Sequence, residues 1–155
     1  MNTEQLRQFI VAANKATYAG DGPRCASLLP GSRQLEFSDG EYLYRDVYFG
    51  SDRFQGQSVV YFRGRPVWGM VYSGGVTADH LSPEAEVYAF LKKALARVPP
   101  DEPFRGPRHF SEGDWVYENA PSGTSDRFAG REEIRYGGES VYRLHYAGGL
   151  IVGRD

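Results

Sequence analysis

Two carboxylates, Glu36 and Asp46, flank a run that carries Tyr42 and Tyr44, with Tyr18 upstream and Trp68 downstream. Gathered around one cavity, these residues would make aromatic walls with acidic acceptors. Such a lining suits a cationic or planar small molecule, held by charge and by the π faces of the rings. In a small hydrolase or isomerase, Asp46 or Glu36 would instead act as general base, with His145 or a tyrosine as the acid. A third reading gives the tyrosines no ligand: they cover a hydrophobic face, each with its hydroxyl at the edge.

Standard catalytic and cofactor patterns are missing. "GDGPRC" (20–25) opens as G-x-G but lacks the third glycine and follows a helical pattern where a strand is required. No phosphate-cradling loop, zinc-protease helix or nucleophile elbow can be found. His80, His109 and His145 are scattered, and Cys25 stands alone, so neither a metal site nor a cofactor is expected. The charged "SDRF" stretches at 51–54 and 125–128 read as turn caps, because Ser and Asp bond to their own backbone after a Gly-containing loop.

The candidates stand out because the chain repeats itself. "FSDGEYLY" (37–44) returns as "FSEGDWVY" (110–117), and 51–76 aligns with 125–150, with one residue inserted between the two blocks. Shared residues, Gly56/Gly130 and Tyr72/Tyr146 among them, read as scaffold, and function is sought where the copies differ. Asp46 is matched by Asn119, Glu36 by His109, and Gly69 and Val71 by Arg143 and His145.

The elements that must position these residues follow from periodicity. Leu6, Phe9, Ile10 and Ala13 recur at helical spacing behind Thr3, and Val87, Phe90, Leu91, Ala94, Leu95 and Val98 do so behind Ser82-Pro83. Phe54, Val60 and Phe62 alternate with polar neighbours, as do Phe128, Ile134 and Tyr136, which marks half-buried antiparallel strands. Arg63-Gly64 and Gly137-Gly138 signal tight hairpins, and Gly56 and Gly130 suggest a bulge in each second strand. The predicted class is α+β: an αβββ unit used twice, giving two antiparallel three-stranded meanders related by a pseudo-twofold, each with one helix. The chain reads as one domain over 1–155, with repeat units at 1–76 and 77–155.

Composition narrows the partners. A net charge of −2 builds no phosphate-binding field, which disfavours direct nucleic-acid binding. No apolar run reaches membrane-spanning length, no signal peptide is evident, and a single Cys fits a reducing, cytoplasmic setting. An exposed sheet face would suit a homodimer.

The stretches "KATYAGDG" (15–22), "PGSRQLEF" (30–37), "GEYLYRDVYFG" (40–50), "GRPVWGMVYSG" (64–74), "PFRGPRHF" (103–110) and "YAGGLI" (146–151) resemble a family of uncharacterised bacterial domains. Its members occur alone or joined to Xre-like helix-turn-helix regulators. The resemblance implies a sensory or ligand-binding module with no established activity. Neither helix here reads as a helix-turn-helix segment, so a transcriptional role would need a separate DNA-binding partner. The preferred function is non-catalytic binding of a small molecule, ahead of a homodimerising interaction module and ahead of an enzyme.

Overall fold

Strands dominate the computed structural model, which describes residues 2–17, 24–77 and 84–153. In chain order the elements are α1 (Thr3–Ala16), β1 (Arg24–Cys25), β2 (Arg33–Asp39), β3 (Tyr42–Gly50), β4 (Arg53–Phe62), β5 (Arg65–Val76), α2 (Glu84–Leu95), β6 (His109–Glu112), β7 (Trp115–Thr124), β8 (Arg127–Tyr136) and β9 (Glu139–Leu150). Among the described residues, the nine strands form one antiparallel sheet in the order β1-β2-β3-β4-β5-β9-β8-β7-β6.

This corrects the expected α+β duplication. Among the described residues there are no separate three-stranded meanders and no αβββ unit with its own helix, and strands predominate. Two causes account for the difference. First, "RQLEFSD" and "HFSE" form the strands β2 and β6 beyond the three expected in each unit, so the "FSDG" and "FSEG" stretches turn between two strands. Their polar, exposed ends hid the period of two. Second, β5 and β9 pair with each other from Trp68↔Leu150 to Val76↔Tyr142. Left apart, each would be a long edge with a row of unpaired backbone groups; pairing them satisfies both and makes a single sheet.

The helices cover one face of that sheet. Asn2 caps α1 by accepting from the Glu4 N–H at 2.9 Å, one residue earlier than Thr3 suggested. Leu6, Phe9, Ile10 and Ala13 are buried, and the Phe9 ring lies on Tyr42 at 5.0 Å and on Phe37 at 5.6 Å. The Ser82-Pro83 cap lies outside the described residues. α2 straddles the seam: Phe90 stacks on Phe110 and Trp115 of the later strands, while Tyr88 meets Phe54 and donates to the Ser51 carbonyl at 2.7 Å. It ends at Leu95, ahead of Pro99-Pro100.

Arg63-Gly64 and Gly137-Gly138 do form two-residue hairpins, with positive φ at all four residues. The bulges, however, fall between Val60 and Tyr61 and between Ile134 and Arg135. Gly56 and Gly130 serve a different purpose: a Cβ there would strike the hydroxyl end of Tyr72 or the ring of Tyr146. Glycine leaves room for each tyrosine to lie across its neighbouring strand.

Candidate functional site

Directly opposite residues of an antiparallel pair share a face, so the register assigns every candidate. Leu35, Asp46, Ser58 and Met70 occupy one row across β2–β5 on the helix-covered face, flanked there by Tyr44, Tyr48 and Tyr72. Asp46 is 2% exposed. The Ser58 hydroxyl donates to its Oδ1 at 2.7 Å, and the Tyr44 hydroxyl donates to Ser58 at 2.8 Å. The Tyr72 hydroxyl donates to both Asp46 oxygens, at 2.9 and 3.1 Å.

A second buried carboxylate, Glu132, lies on β8. Arg105, from the loop between α2 and β6, grips it with two parallel bonds of 2.9 and 3.0 Å from Nε and Nη2. The Tyr117 and Tyr142 hydroxyls donate to the same carboxylate at 2.6 and 3.3 Å. The loop is stitched down locally: the Gly106 N–H donates to the Tyr117 hydroxyl, the Asn119 amide donates to the Gly106 carbonyl, and Phe104 stacks on Phe128 at 4.3 Å. The guanidinium of Arg105 also lies over the Tyr72 ring at 5.7 Å. One arginine therefore touches both acid clusters.

Between α2 and the first half of the sheet, the described residues line an open-sided cavity of about 710 Å3. Its lining includes the buried polar groups of Asp46, Tyr72 and Arg105, the rings of Tyr48, Phe54 and Tyr88, and the charged Glu84, Lys92 and Arg33. Burial pushes the Asp46 carboxyl above its ordinary 3.8, against the Ser58 and Tyr72 hydrogen bonds and the field of Arg105, which draw it down. Burial, reinforced by the Asp46 charge, raises the Tyr72 hydroxyl far above the usual tyrosine range, so it stays protonated as a donor. Tyr88 is raised by burial and by Glu84 and Asp52.

The predicted site residues separate. Asp46 lines the cavity. Tyr44 stands behind it, one hydrogen bond away through Ser58. Trp68 is core, stacked on Phe128 at 5.6 Å. Tyr42 lies beneath α1 against Phe9. Glu36 is on the opposite face of the sheet, paired with Arg45 at 2.6 Å. Tyr18 lies outside the described residues. His145 also faces the uncovered side, beside a groove with Val71 and Phe49. Neither it nor Glu36 reaches Asp46's side of the sheet, so the acid–base pairings that use them are not assembled.

Sequence reasoning missed Tyr72, Arg105 and Ser58. Tyr72 was set aside as repeated scaffold because Tyr146 matches it. Arg105 sits in a loop without periodicity. Ser58 carried a usable signal: it has the core phase of β4 and is matched by Glu132, a difference between the copies at a buried position.

A family model matches residues 46–151, about two thirds of the chain. The chain belongs to DUF5680, a domain of unknown function. The DUF5680 match takes in Asp46, Tyr72, α2, Arg105 and Glu132, and it leaves α1 and β2 outside. Neither the curated proteins nor the solved structures contain a match to the chain. Among the described residues, no group of three or more His, Cys, Asp or Glu side chains could hold a metal ion, and no helix is long and apolar enough to cross a membrane.

Proposed function

We propose that this DUF5680 chain is a non-catalytic small-molecule-binding module whose site is the cavity beneath α2. The observation that carries the reading is the placement of a buried carboxylate, Asp46, in the wall of a cavity of about 710 Å3. Ligand sites are typically pockets of ~300–1,000 Å3 with aromatic and apolar walls and convergent polar groups; this one falls in that range and sets the rings of Tyr48, Phe54 and Tyr88 among five charged side chains, Arg33, Asp46, Glu84, Lys92 and Arg105. The resemblance to bacterial domains found alone or joined to Xre-like regulators supports a sensory use of the site, and the single Cys supports a cytoplasmic setting.

A thermal-shift screen of the intact chain against a metabolite library tests this. A ligand at 100 times its Kd adds about 2.7 kcal/mol, enough to raise Tm by several degrees at this size. Ala89→Trp, on the exposed face of α2 at the cavity, should abolish the hit without touching the core. A hit that persists in this variant places the site elsewhere, and a library with no hits removes the reading.

A second reading, homodimerisation, draws on the uncovered sheet face. Val71 is 55% exposed and Phe49 38%, beside a groove of about 520 Å3. Sedimentation of the wild type and of Val71→Lys decides it: a dimer that Val71→Lys dissociates supports this reading, and a monomer at all concentrations ends it.

A further inference from the structure

We infer that the cavity takes a cationic ligand, an ammonium or amidinium group on an apolar or planar body, with Asp46 as its charge partner. The inference rests on the cavity being a ligand site and adds the charge of what enters it. Three side chains bury charge in this region: Asp46, Glu132 and Arg105, exposed by 2, 1 and 3%. Arg105 is committed to Glu132 through a two-bond fork. Among the described residues Asp46 forms no ion pair; its partners are the neutral hydroxyls of Ser58 and Tyr72. Among the described residues, the buried charges here are thus two acids and one base, and the acid outside the ion pair is the one that lines the cavity.

A carboxylate buried in this way is unfavourable as an isolated anion and is stabilised by a proton or by a cation. Asp46 lines the cavity, so a cation seated there would lie beside a carboxylate shielded from bulk water. Tyr48, Phe54 and Tyr88 line the same cavity, and their π faces attract positive charge, most strongly where water is excluded.

The opposing case is an anion drawn to Arg105, Arg33 and Lys92. An anion at Arg105 would have to displace or share a carboxylate already seated on its Nε and Nη2 edge. Arg33 is exposed, so its field is screened by solvent, and Glu84 offsets Lys92 in the lining. At Asp46 the groups already seated are neutral hydroxyls, and its burial limits screening by solvent.

Isothermal titration of the full chain with benzamidine, benzamide and benzoate, together with their 2-naphthyl counterparts, separates the cases, because within each set the probes share a shape and differ in charge. The cationic probe should bind tightest, about tenfold or more over the neutral one. Asp46→Asn should bring the cation down to the level of the neutral probe and leave the neutral probe unchanged. This variant should keep the fold, since Asn119 already accepts from Tyr146 at 2.8 Å at the matching position of the later strands. Tyr48→Leu gives a second check and should weaken the cation more than the neutral probe. Tightest binding by the anion, or equal binding by all three, overturns the cationic assignment while leaving the cavity as a site. Silence from every probe also overturns it; a metabolite hit lost in Ala89→Trp would then keep the binding reading, and an empty screen would end both.

Discussion

The two ends of the sheet carry the same polar cross with its charge on different arms. In the earlier strands the arms are Tyr44, Ser58, Asp46 and Tyr72; at matching sequence positions the later strands have Tyr117, Glu132, Asn119 and Tyr146. The hydrogen bonds correspond: Tyr44 to Ser58 and Tyr117 to Glu132, Tyr72 to Asp46 and Tyr146 to Asn119. On the later side the acid has moved to β8, where Arg105 meets it and the loop at 104–106 is tied down over it. On the earlier side the acid is on β3, lacks an ionic partner among the described residues, and faces a cavity. A shared scaffold with a displaced carboxylate thus puts one acid in an ion pair and the other in a cavity wall.

The largest test of that contrast is Arg105→Met. It leaves Glu132 buried without its cation, and a cost of about 3–5 kcal/mol is expected from the urea midpoint. A loss below ~1 kcal/mol would show that the later cluster is not held by its ion pair.

The glycines come next. Gly56→Ala places a Cβ against the Val47 backbone oxygen as well as against Tyr48 and Tyr72, whereas the three nearest atoms at Gly130 all belong to the Tyr146 side chain. Overpacking costs ~1–3 kcal/mol. Gly56→Ala should fall at the upper end and Gly130→Ala at the lower, because a ring can tilt and a backbone carbonyl cannot. Equal losses in thermal denaturation would count against this account.

Removing one hydroxyl from each cross gives a smaller difference. Tyr72→Phe takes a donor from a buried carboxylate and should cost about 1.5–3 kcal/mol, while Tyr146→Phe takes one from a neutral amide and should cost about 1. The ordering, read from paired urea titrations at pH 7, is the point at issue.

The finest test uses pH. Because burial raises the Asp46 carboxyl above 3.8, the folded chain holds this proton over a range where the unfolded chain has released it. The group's contribution is full at or below about pH 4 and is lost as pH rises through the raised value. Asp46→Asn should flatten that slope and be at least as stable as the wild type at pH 7. Parallel pH–stability curves for the two proteins would mean that desolvation does not govern Asp46.

Much of the local structure was legible. Both amphipathic helices, the alternation in β4, β8 and their partners, and the two hairpins declared by Arg63-Gly64 and Gly137-Gly138 follow from side-chain period and backbone freedom, which depend only on near neighbours. Asp46, which lines the cavity, was legible as a singular position because a difference between two copies of one pattern marks it. Glu36 is parted from Asp46 by the sheet itself, being on the other face, whereas Tyr42 and Trp68 share the face of Asp46 and are packed against Phe9 and Phe128. A shift of one residue along a strand reverses its face, and the choice of what covers that face belongs to distant segments.

The sequence by itself determined a strand-rich repeat, its turns, its two helices and the position of its odd acid, because these depend on short-range sterics and the burial of apolar side chains. Only the tertiary structure decided that β5 and β9 close the seam into one sheet, that α2 crosses it, and that Arg105 reaches Glu132 and leaves Asp46 to the cavity. Those choices come from pairing exposed edges and compensating buried charge between residues far apart in the chain. No local pattern records either requirement.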